Sequence, residues 1–71
     1  MSFVKIDDTK CERDTASAIL VSINGRDVWI PKSQIHEDSE VWKSGTDGNL
    51  IITRWLAEKE NLEDEGEEYE G

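Results

Sequence analysis

The stretch AILVSINGRDVWIP, residues 18 to 31, constrains the fold more than any other part of the chain. Ala18 to Ile23 is rich in β-branched residues and reads as a strand. Asn24-Gly25 follows at once, and both residues tolerate the positive φ that a type I′ turn demands. Arg26 to Pro31 is then the returning strand, which Pro31 ends because proline has no backbone donor. A two-residue turn fixes the register by arithmetic. Ile23 faces Arg26, Ser22 faces Asp27, Val21 faces Val28, Leu20 faces Trp29 and Ile19 faces Ile30. Directly opposed residues share a face of the sheet. One face therefore carries Ile19, Val21, Ile23, Val28 and Ile30, the expected core. The other carries Ser22 and Asp27 with one apolar pair, Leu20 and Trp29.

The flanking segments read as further short elements. Ser2 to Ile6 alternates in the manner of a strand, and the polar run DDTKCERDTAS either continues it or forms a loop. Lys32 to Glu40 is too polar for a strand and predicts a turn or one 3₁₀ turn with Ile35 tucked inward. Val41 to Lys43 is a candidate short strand, SGTDGN a glycine-punctuated turn, and Leu50 to Thr53 the last strand. Thr53 is placed to cap a helix over Arg54 to Leu62, with Trp55, Leu62 and Leu56 on its buried stripe. The rival reading extends the strand through Leu56. Trp42 and Trp55 are expected in the core. These elements predict a mainly β, β-rich α+β domain: a small bent antiparallel sheet, or an SH3-like or OB-like half-barrel, with one short C-terminal helix.

Seventy-one residues allow one domain near the lower size limit for independent folding. Charge divides it. From Glu58 to Gly71 eight acids face Lys59 alone, a balance of −7 within the chain's −9. The expectation is a domain over residues 1–62 and a disordered acidic tail over 63–71. The tail is either solubilising or able to dock on a basic surface and imitate nucleic-acid phosphates. Direct nucleic-acid binding is disfavoured by the same charge.

Residues that suggest chemistry fare poorly. His36, Glu37, Asp38 and Glu40 put one imidazole near three carboxylates, too little for a defined metal geometry, so a solvated turn is expected. Ser33 and Ser39 flank His36, but no nucleophile elbow or phosphate-cradling glycine loop is present. Cys11 alone gives no disulfide, suits a reducing compartment, and reads as a small half-buried residue. No secretory signal or membrane-length apolar run is seen, so a cytoplasmic setting is expected. No catalytic residue, metal ligand or cofactor site is assigned.

What remains is binding. Leu20 and Trp29 either are covered by the helix or the N-terminal connection, or stay partly exposed with Arg26, Asp27 and Lys32 as a rim. Exposed tryptophan beside arginine is the make-up of an interaction hot spot. With Glu63, Asp64, Glu65, Glu67 and Glu68 of the tail, these form the candidate partner-binding set for a protein with a basic surface. The alternative is a small β-barrel that stacks single-stranded nucleic acid on Trp29, with the tail as an internal competitor. A third option is homodimerisation through an exposed edge strand.

VWIPKSQI (Val28 to Ile35), followed after a polar gap by LIITRWLAEKENL (Leu50 to Leu62), resembles small uncharacterised proteins encoded by bacteriophages and prophages. In these an apolar strand and G-x-x-V-W-I-P-K-S-Q-I precede a T-x-W-L-A-E-K ending. The resemblance spans residues 18 to 62 and implies a phage or bacterial cytoplasmic setting. It brings no catalytic residues with it.

Overall fold

Two extra residues in the first strand set the shape of the sheet. The computed structural model describes residues 2–70. Strand β1 (Ser2–Asp14) continues through the polar run that the sequence leaves open between strand and loop. Its register slips once against β4 (Asp47–Thr53), between Ile6 and Thr9, and once against β2 (Ala18–Ile23), between Cys11 and Arg13. Each slip is a bulge, which bends a strand and strengthens its twist. At the first, Asp8 takes a φ of 58°. The bulge also moves the inward phase by one residue, so Val4 and Ile6 are followed inside by Thr9 and Cys11.

The bend lets β1 serve several partners. Phe3 pairs with Thr53 of β4 on one edge and with Tyr69 of β5 (Glu67–Glu70) on the other. Further along, Lys10 pairs with Asp47 of β4 and Ser22 of β2. Strands β5 and β2 therefore follow one another along one edge of β1. Strand β3 (Arg26–Pro31) lies outside β2, giving the order β3-β2-β1-β4 with β5 on β1. The β2–β3 register is the expected one at every pair, with Asn24 and Gly25 at φ 50° and 78°. After Pro31 a 3₁₀ turn (Lys32–Gln34) carries the chain to Ile35, which bridges Ile52 of β4. The result is a bent, open antiparallel sheet.

Thr53 caps helix α1 (Arg54–Lys59) as expected, its Oγ1 accepting the Leu56 N–H at 3.3 Å. The helix is shorter than the sequence suggests, because Asn61 turns left-handed at φ 59°. The Asn61 and Leu62 N–H groups then bond back to the Glu58 and Ala57 carbonyls at 3.2 and 2.7 Å, a Schellman closure. Leu62 is thereby folded into the core beside Leu56 and Ala57. These three pack with Ile19, Val21, Ile23, Val28 and Ile30, so α1 lies on the inner side of the sheet. Among the described residues, each buried side-chain nitrogen or oxygen has a hydrogen-bond partner.

Two expectations need correction. Trp55 is 60% exposed, because Leu56 and Ala57 take the buried stripe and Trp55 shares the outer one with Glu58 and Lys59. Trp42 is 53% exposed, because residues 41 to 43 form no strand and Val41 alone turns inward. The acidic segment carries a 3₁₀ turn (Glu63–Glu65) and strand β5, while Gly71 lies outside the described residues. Backbone pairing accounts for this. Strand β5 adds to the Ser2–Lys5 edge, and Gly66 permits the approach, since a Cβ there would overlap the Lys5 carbonyl oxygen.

Candidate interaction surface

Trp29 faces Leu20 across the β2–β3 ladder, and Leu20 in turn pairs with Arg13 of β1. The row Trp29–Leu20–Arg13 runs across the outer side of the sheet, away from α1. Beside it runs a polar row, Asp27–Ser22–Lys10–Asp47. Leu20 is half-buried and Trp29 is 49% exposed, so the covered reading of the pair gives way to the open one. Helix α1 belongs to the inner face and cannot cover them.

Trp29 also borders a groove. A cavity of about 580 Å³ lies between β3 and the end of α1, lined by Arg26, Asp27, Val28, Trp29, Lys59, Glu60 and Asn61. Its floor is pinned by the Arg26 guanidinium, whose Nη2 donates to the Glu60 carbonyl at 2.6 Å. Of the expected rim, Arg26 and Asp27 are therefore here. Lys32 lies past the far end of β3 and pairs with Asp14 at 3.8 Å.

The acidic residues divide into held and free. Asn24, at the hairpin turn, donates its side-chain amide to the Glu65 carboxylate. Glu68 pairs with Arg54 at 3.6 Å. Asp64, Glu65 and Glu67 line a cavity of about 240 Å³ with Asp7, Gly66 and Lys5. Glu63 is exposed in the 3₁₀ turn. The hairpin turn thus touches both the helix end and the acidic turn, which brings Arg26 and Glu65 to one flank, while Lys32 and Glu68 are held elsewhere.

The HEDSE segment is structural in its geometry. His36 Nδ1 accepts the Asp38 backbone N–H at 2.9 Å. The imidazole is met edge-on by Phe3 and Tyr69, with ring centroids 4.5 and 5.5 Å away. The Tyr69 hydroxyl donates to the Asp38 carboxylate at 2.7 Å, and that bond pushes the phenol pKa above its ordinary value. Ser39 is buried; its Oγ donates to the Val41 carbonyl at 2.9 Å and accepts the Ile51 N–H at 3.2 Å. Cys11 is fully rather than half buried, and burial raises its thiol pKa. Among the described residues no group of three or more His, Cys, Asp or Glu side chains is arranged to hold a metal ion. No helix is long and apolar enough to cross a membrane.

Sequence reasoning missed two exposed rings. Lys43 Nζ sits 4.7 Å from the Trp42 ring centroid, and Lys59 Nζ 5.1 Å from that of Trp55. Trp55 borders a second groove of about 470 Å³ with Ser2, Gln34, Thr53, Arg54 and Glu58. The signal for Trp55 was present: Lys59 four residues on is the natural partner of an outward ring on a helix. Comparison with protein-family models, with curated proteins and with solved structures gives no match, so the surface rests on its own geometry.

Proposed function

We propose that this chain is a non-enzymatic protein-binding module whose docking face is the outer side of the β2–β3 hairpin, and whose partner presents a basic surface. One observation carries the reading: Trp29, opposite Leu20, stands 49% exposed on an open sheet face. A domain this small needs its apolar area inside. Leaving half an indole in water forgoes about 2 kcal/mol at ordinary transfer values, a stability cost that partner binding would offset. The net charge of −9 supplies steering toward a basic partner. The resemblance to phage-encoded proteins supports a bacterial cytoplasmic setting. Its sharper form is inhibition of a nucleic-acid-handling protein by an acidic surface that stands in for phosphates.

Charge steering is tested by association kinetics with a protein captured from bacterial lysate. The rate should fall steeply as salt shortens the screening length toward about 10 Å at 0.1 M. Glu63→Gln, Asp64→Asn and Glu67→Gln together should slow association while sparing the Asn24–Glu65 and Arg54–Glu68 contacts. A rate indifferent to salt and to these changes would remove the electrostatic part.

A second reading draws on the lysines beside Trp42 and Trp55, since an exposed ring next to a cation suits base stacking on a single strand. On this reading the acidic segment competes for the site, and neutralising it raises affinity for a labelled single-stranded oligonucleotide. Absence of binding by either form at low salt rules it out.

A further inference from the structure

The outer edge of β3 carries no neighbouring strand among the described residues. In a hairpin closed by a two-residue turn, the residues flanking the turn form a hydrogen-bonded pair, and such pairs then alternate with non-bonded ones. Ile23 and Arg26 flank the turn, so Arg26, Val28 and Ile30 spend their N–H and C=O groups on β2. Asp27 and Trp29 form the non-bonded pairs with Ser22 and Leu20, and their backbone groups point away from β2. Strand β3 pairs with β2 alone, so among the described residues these groups meet no further strand. The groove between β3 and the end of α1 runs along the same edge.

We infer that this edge accepts an extended, basic segment of a partner protein as an added antiparallel strand; the inference rests on the protein-binding reading above. The free donors and acceptors of Asp27 and Trp29 supply the ladder, and alternate side chains of the guest lie beside the Trp29 ring. Pro31 sets the far limit, since it offers a carbonyl but no N–H. Charge selects the guest. The groove's own lining is balanced, Arg26 and Lys59 against Asp27 and Glu60, so the selecting charge comes from the adjoining acidic segment and from the chain's net −9. The acidic turn Glu63–Glu65 adjoins the same flank through Asn24. A second copy of the chain would set one −9 surface against another, so a basic strand fits better.

The test uses the full chain and a short blocked peptide of alternating lysine and valine. Binding should slow amide hydrogen exchange at Asp27 and Trp29 by about tenfold or more, with little change at Arg26, Val28 and Ile30. The same peptide N-methylated at every residue keeps its charge but loses its donors on both edges, and it should not protect these amides. No binding at low salt, equal effects from the methylated peptide, or changes confined to Glu63–Glu70 would each overturn the inference. So would a concentration-dependent dimer, by sedimentation, that protects Asp27 and Trp29 without peptide. If the peptide fails while a captured partner still depends on Trp29, strand addition falls and the docking face survives.

Discussion

Trp29 and Leu20 oppose one another on the side of the sheet that α1 leaves open, while their neighbours Ile19, Val28 and Ile30 are sealed beneath. Hairpin alternation alone produces that division. Trp29→Ala should therefore leave the fold intact and cost no more than about 2 kcal/mol, the worth of the ring's covered half, measured by urea unfolding. Ile30→Ala, one residue away and fully buried, should cost about 2–5 kcal/mol and unfold much of the population.

All three tryptophans are about half exposed or more. Native emission should already lie close to that of a water-exposed indole and shift little on unfolding. A strongly blue-shifted native spectrum would contradict the placement of the rings.

Gly66→Ala should release β5, because the added methyl meets the Lys5 carbonyl. Amide exchange at Tyr69 should then quicken while the β2–β3 hairpin keeps its protection.

Tyr69 is the chain's only tyrosine, so its phenolate absorbance is read without interference. The midpoint should lie above 10.0, because the Asp38 carboxylate holds the neutral hydroxyl. A raised folded-state pKa means the native state keeps its proton longer than the unfolded chain does. The Tyr69 contribution is thus complete below the unfolded value and lost as pH climbs through the folded one. Asp38→Asn should bring the midpoint back toward 10.0.

What the sequence made legible follows from what is local. The hairpin register came from Asn24-Gly25 and needed no partner beyond its own two strands. The helix start came from the Thr53 hydroxyl. The bulges in β1 were hidden because a register slip exists only between paired strands. The Asp7-Asp8 step that shifts the buried phase from Ile6 to Thr9 looks like plain polarity in one dimension. Strand β5 was hidden because its hold is backbone pairing plus Gly66 and Tyr69, with acidic side chains that carry no apolar period. For Trp42 and Trp55, ring size argued for burial, whereas their neighbours Val41 and Leu56 took the inward positions. Of the candidate surface, Leu20, Trp29, Arg26 and Asp27 were legible from register, and the far wall formed by Lys59, Glu60 and Asn61 was not.

The docking face is tested most directly by capture from bacterial lysate on the wild-type chain, Trp29→Ala and Trp42→Ala in parallel. A protein retained by the wild type and by Trp42→Ala, but lost from Trp29→Ala while that variant is still folded in the absence of urea, is the predicted result. Equal retention by all three would contradict the assignment of the β2–β3 outer face.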